Sequence, residues 1–109
     1  MFGRKQNTID VIEPLAGHRA GRLVLVDVRE AGERSRAYVP GSQHLPLSEL
    51  KPRLGSLPSD RPLAFICQSG RRSAMATSAA RRAGLDACNV QGGMNAWEHQ
   101  GLETERSDA

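Results

Sequence analysis

Cysteine is scarce: Cys67 and Cys88 are the only two in the chain, too few for a disulfide framework and matching no zinc-ligand spacing. Reduced thiols are expected, and neither a metal nor another cofactor is. Aromatic residues make up 4% of the 109 residues. A nucleic-acid surface would interleave its basic residues with aromatics or set them on a recognition helix. Between Arg61 and Leu85 five arginines stand without one acid, yet Phe65 is the sole aromatic there and lies inside an apolar run. Nucleic acid is therefore not the expected partner, and the local positive field suits a small anion. Long hydrophobic runs are missing too. The longest, Leu63 to Cys67, has five residues, against about 20 needed to cross a bilayer. No membrane segment is expected in this chain. Arg4 and Lys5 are not followed by the roughly 7–15 apolar residues of a secretory signal, so the cytoplasm is the expected compartment.

What is present fits one small globular domain. Hydrophobic residues are 39%, and 15 Lys and Arg outnumber 12 Asp and Glu for a formal net charge of +3, an ordinary balance for a single core. Leu23-Val24-Leu25-Val26, ending at Asp27, and Leu63-Ala64-Phe65-Ile66-Cys67 are apolar without alternation, as strands covered on both faces should be. Ala87-Cys88-Asn89-Val90, stopped by Gly92-Gly93, is a weaker strand, and Gln43-His44-Leu45 a short one. Helices are expected over Glu30–Ala37, Ser48–Leu54 (limited by Pro52) and Ser73–Ala83, the last alanine-rich and stopped by Gly84. Apolar strands separated by helix-length polar stretches imply a parallel α/β sheet.

Chemistry gathers at one point. Cys67 ends an apolar strand and is followed by Gln68-Ser69-Gly70-Arg71-Arg72-Ser73, after which the alanine-rich helix begins. The glycine lets the chain turn, successive N–H groups form an anion-binding nest, and the helix start carries positive dipole charge. Arg71 and Arg72 add full charges. A thiol so placed ionises below its free value near 8.5, which makes Cys67 a candidate nucleophile. Cys88, between Asp86-Ala87 and Asn89-Val90, has none of this and is read as core filling; a Cys67–Cys88 disulfide is the lesser alternative.

The stretch Cys67-Gln68-Ser69-Gly70-Arg71-Arg72-Ser73 resembles the C-x-x-G-x-R-S active loop of rhodanese-like sulfurtransferases. Leu25-Val26-Asp27-Val28-Arg29-Glu30 is similar to that family's D-x-R strand end. Pro40 to Pro46 is similar to its P-G-A-x-x-I-P loop, and Gln91 to Trp97 to its G-G-x-x-x-W segment. Where the family often has a histidine before P-G, Ala37-Tyr38-Val39 stand here; Tyr38 is expected to pack rather than to line the pocket. His18, His44 and His99 match no catalytic position of the family.

The resemblance implies a three-layer α/β domain with a mainly parallel five-stranded sheet and helices on both faces. It is expected over residues 8–102, with loose ends at 1–7 and 103–109. It further implies sulfur transfer: Cys67 takes sulfur from a small anionic donor such as thiosulfate, becomes a persulfide, and passes the sulfur to a thiol or cyanide. The alternative is a sulfur-carrier or persulfide-sensing interaction module that acts on a specific sulfur-accepting partner protein. Gln68, Ser69, Gly70, Arg71, Arg72 and Ser73 are the implied anion-binding loop. Asp27 and Arg29 are the implied supports, with an Asp27–Arg72 ion pair one expected form of that support and an N-cap role for Asp27 the other reading. Arg72 follows Cys67 after four intervening residues, one short of the C-x5-R loop of the cell-cycle dual-specificity phosphatases, so phosphoryl chemistry is not expected.

Overall fold

The computed structural model describes residues 8–9 and 12–107; the expected loose N-terminus lies outside them. In chain order the elements are β1 (Thr8–Ile9), α1 (Ile12–Arg19), β2 (Val24–Asp27), α2 (Ala31–Arg36), β3 (Gln43–His44), α3 (Leu50–Arg53), β4 (Leu63–Ile66), α4 (Arg71–Arg82), β5 (Ala87–Val90) and α5 (Gly93–His99). The strands lie parallel in the order β1-β5-β4-β2-β3. β2 pairs with β4 in the register Val26↔Phe65, and β4 with β5 in the register Phe65↔Asn89.

Side chains on a strand alternate between the two faces of the sheet, and here both faces are apolar. Leu25, Ala64, Ile66, Cys88 and Val90 pack on one side with Leu15 of α1 and Met94 and Trp97 of α5. Val24, Val26, Leu63, Phe65, Cys67 and Ala87 pack on the other with Leu50 of α3 and Ala76 and Ala80 of α4. Hence the runs lack polar alternation. Cys67 and Cys88 fall on opposite faces, and Cys88 lies opposite Ala64, three residues before Cys67. No disulfide joins them, and this placement rules out the disulfide alternative.

Two expected helices differ in detail. Ser48–Leu54 is instead a 3-10 turn at Leu47–Glu49, the single α-turn of α3, and a second 3-10 turn at Leu54–Ser56. Pro52 is tolerated because α3 scarcely extends beyond its first turn. The alanine-rich helix starts at Arg71, two residues before Ser73, because Gly70 adopts φ 103° and turns the chain directly into it. Its buried face is Ser73, Ala76, Thr77 and Ala80, the i, i+3, i+4, i+7 spacing of one helix stripe.

The tail is tied down rather than loose as far as Ser107. The Trp97 indole donates to the Glu103 carbonyl at 2.9 Å. Tyr38 and Glu105 exchange backbone hydrogen bonds at 2.8 Å each, and the Ser107 N–H reaches the Ser35 carbonyl at 2.8 Å.

After β2 the chain passes through α2 to β3 on one side; after β4 it passes through α4 to β5 on the other. The strand order therefore diverges between β2 and β4, and the carboxyl ends of strands at such a point form a ligand crevice. Asp27 and Cys67 sit at those two ends.

Candidate active site

The Cys67 side chain is fully buried beneath the loop that follows it. Three donors converge on its sulfur: the Gly70 N–H at 3.1 Å, the Ser73 N–H at 3.3 Å and the Ser73 hydroxyl at 3.2 Å. Burial pushes the thiol pKa up. The Ser73 hydroxyl and the backbone N–H groups of Ser73, Gly70 and Ser69 push it down, and they prevail, so the thiol ionises below its ordinary value. Hydrogen bonds to the charged form have this effect because they are lost on protonation.

The loop is pinned from below by α5. The Met94 N–H donates to the Cys67 carbonyl at 2.8 Å, and the Asn95 N–H to the Gln68 carbonyl at 3.0 Å. Such close approach requires glycine: Gly93 has φ 56°, and a Cβ there would fall on the Cys67 carbonyl oxygen. The Gly92-Gly93 pair thus ends β5, as expected, and also opens a helix whose first amides seat the loop.

The supports differ from expectation in one respect. Asp27 does not meet Arg72. Its carboxylate, 1% exposed, accepts from Arg29 Nη2 at 2.8 Å, Nε at 3.0 Å and N–H at 3.0 Å, and from Arg34 Nη1 at 3.3 Å. Arg29, 2% exposed, extends Nη1 to Gln68 Oε1 at 3.1 Å and Nη2 to the Ala37 carbonyl at 2.6 Å. Gln68 Nε2 in turn donates to Asn95 Oδ1 at 2.7 Å. Asp27 therefore reaches the loop through Arg29 and Gln68. Position explains it: Arg29 is two residues on and equally buried, whereas Arg72 leaves the loop toward α2.

There Arg72 pairs with Glu33, Nη1 to Oε1 at 2.6 Å and Nη2 to Oε2 at 2.7 Å. The Arg72 hydrogen bond is the main cause that lowers the Glu33 carboxyl from 4.5 to about 2. Glu33 also completes a capping box with Glu30 at the start of α2. Arg71 is exposed and has no hydrogen-bond or ion-pair partner among the described residues. Ser69 is exposed as well. Tyr38 packs: the Arg34 guanidinium lies 4.5 Å over its ring. A recess of about 360 Å³ lined by Arg29, Glu33, Arg36, Ala37, Gln68 and Glu98 opens beside the loop.

Sequence reasoning missed Arg34 on Asp27, and two residues at the loop itself. Glu33 is 39 positions from Arg72 and carried no signal beyond its capping pattern. Asn89 did carry one: it is a polar residue in the apolar strand β5, and buried polar groups need partners. It is 6% exposed, donates through Nδ2 to the Gly70 carbonyl at 3.0 Å, and accepts the Ser73 hydroxyl at Oδ1.

Comparison with known proteins agrees with this architecture. The rhodanese-like domain profile matches residues 12–100. The chain is similar to the putative sulfur carrier protein YrkF of Bacillus subtilis, 40% identical over 76 residues, covering 69% of this chain and 41% of that protein. It is similar to the putative sulfurtransferase YtwF of the same organism, 36% identical over 76 residues, covering 70% of this chain and 74% of that one. The chain thus spans less than half the length of the first relative and about three quarters of the second. In structure it resembles a rhodanese-related protein from Thermoplasma volcanium with TM-score 0.85 and 28% identity, covering 91% of this chain and 97% of that one. A profile match over most of the chain, with Cys67 held at the divergence of a parallel sheet, establishes that the chain belongs to the rhodanese-like domain family.

Proposed function

We propose that this chain is a sulfurtransferase that carries sulfane sulfur on Cys67, from thiosulfate or a similar anionic donor to a thiol or cyanide. The observation that carries the reading is the convergence of two N–H groups and one hydroxyl on the Cys67 sulfur. They favour a thiolate without any neighbouring base. The thiolate attacks the outer sulfur of thiosulfate; the new S–S bond forms as the bond to the sulfonate group breaks, and its electron pair leaves with sulfite. The acceptor thiolate or cyanide then attacks the outer sulfur of the persulfide, and the electron pair of that S–S bond returns to Sγ. The amides hold the attacking thiolate in place for the first step, and the second returns negative charge to Sγ, where they point, the arrangement that lowers such a barrier. Arg71, exposed and unpaired among the described residues, adds field for an incoming anion.

Intact mass after incubation with thiosulfate tests this. A gain of one sulfur atom, reversed by cyanide or a thiol and absent in Cys67→Ser, is the expected result; no gain in the folded protein overturns it. The second reading, a sulfur carrier that serves a specific protein, is favoured by the similarity to a protein named a putative sulfur carrier. It predicts stoichiometric loading with poor turnover on small acceptors.

A further inference from the structure

Ser73 has one hydroxyl proton and two acceptors in reach, the Cys67 sulfur at 3.2 Å and Asn89 Oδ1. A hydroxyl donates one hydrogen bond at a time. Asn89 is held in a single orientation, because its Nδ2 donates to the Gly70 carbonyl and so turns Oδ1 toward Ser73. That carbonyl also receives the Ala74 N–H at 3.2 Å, so it does not depend on Asn89 for a partner. The amide's distinctive contact is with Ser73.

We propose that the Ser73 hydroxyl follows the charge on Cys67 Sγ, and that Asn89 Oδ1 receives it whenever the sulfur is uncharged, making Asn89 a positioning residue for sulfur transfer. The inference rests on the persulfide reading above. In the thiolate the hydroxyl donates to Sγ. When Sγ bonds to the donor's outer sulfur and the donor's leaving anion departs with the electron pair, Sγ becomes neutral and a weak acceptor, and the hydroxyl turns to Asn89. On discharge the acceptor bonds to the outer sulfur, the Sγ–S electron pair returns to Sγ, and the hydroxyl turns back. No proton leaves Ser73 in either step; the oxygen–hydrogen bond only rotates. Asn89 therefore favours the neutral forms of Sγ, thiol and persulfide, over the thiolate.

The charged groups around the loop stay constant in the variants that test this. They are Arg71 and Arg72 from α4, Glu33 and Arg36 from α2, Glu98 from α5, and Arg29 with its partner Asp27 at the end of β2. At the loop, β5 and α5 present the neutral Asn89 and Asn95.

The test is the pH dependence of Cys67 alkylation by iodoacetamide, located by peptide mass, in Asn89→Leu alone and combined with Ser73→Ala. Asn89→Leu should lower the apparent pKa of Cys67, raising the thiolate fraction below that pKa about threefold, as expected when one hydrogen bond shifts toward an anion. In the Ser73→Ala background the same substitution should change nothing. At pH above the Cys67 pKa, where the thiolate is the starting form, persulfide loading should slow and cyanide discharge accelerate, whereas a merely structural role would slow both. An unchanged or raised pKa, an equal shift without Ser73, or slowing of both steps overturns the proposal. Asn89→Ala carries the same expectations without added bulk, should the leucine variant not fold. Alkylation needs no sulfur donor, so a wild-type protein that fails to load sulfur would defeat the sulfurtransferase reading and leave the pKa result separately readable.

Discussion

The Arg72 guanidinium holds the Glu33 carboxylate with both arms, at 2.6 and 2.7 Å, and so ties the start of α4 to α2. Both side chains are about one-third exposed, which limits the pair's contribution to stability to about 1 kcal/mol or less, while its geometry constrains the loop over Cys67. Arg72→Ala and Glu33→Gln should each lower kcat more than they raise KM, and the double variant should be little worse than either alone. Because folding lowers the Glu33 pKa from 4.5 to about 2, the pair stabilises fully above about pH 4.5 and loses that contribution as pH falls toward 2. The Tm gap between wild type and Arg72→Ala should be constant above that range and close below it.

Arg71 has no such partner among the described residues. Arg71→Ala should raise KM for thiosulfate a few-fold and flatten the dependence of kcat/KM on ionic strength, with kcat and Tm nearly unchanged. Steady-state kinetics at several salt concentrations decide it; a fall in kcat alone would assign Arg71 to loop shape.

Asp27 and Arg29 form a buried pair, and removing one member of such a pair costs about 3–5 kcal/mol because the other charge is stranded. Asp27→Asn should therefore lower Tm strongly, while the pH–rate profile of the surviving folded protein keeps its midpoint. A moved midpoint at unchanged Tm would give Asp27 a direct chemical role.

Gly93→Ala adds a methyl group where the Cys67 carbonyl lies, at a backbone φ of 56° that side chains resist. Sulfur loading should collapse together with stability. Gly101→Ala, also at positive φ (70°) but with no heavy atom within 4 Å of the added carbon, should cost only its backbone strain and keep Cys67 reactive. Urea unfolding and mass-detected loading of both variants compare the effects.

Cys88 fills the α1/α5 face of the sheet, away from the loop. Cys88→Ser should retain sulfur loading at Cys67 with some loss of stability, since the hydroxyl enters an apolar cluster. Loading located on Cys88 by peptide mass would reverse the assignment.

The strand residues and the candidate loop at 67–73 were legible locally. Continuous apolar runs at 23–26 and 63–67 mark strands covered on both faces, and a Cys, a Gly and two Arg between a strand and an alanine-rich helix describe an anion cradle in a single stretch of chain. Elements without a strong local pattern were not legible. β1 has two residues, α1 contains Pro14 and Gly17 with no marked apolar face, and Gly92-Gly93 look like an end until the Cys67 carbonyl is placed against them. Partner choice was also beyond the sequence. Asp27 meets Arg29 rather than Arg72, and Arg72 meets Glu33, because packing of α2 over the strand ends sets which opposite charges come within reach. Local chemistry determined that Cys67 is the residue to watch, since its activating groups lie within six positions of it. What holds those groups in place comes from β2, β5, α2 and α5, and only the closed fold could decide it, because hydrogen bonds between residues 16 to 39 positions apart depend on distances that no local pattern encodes.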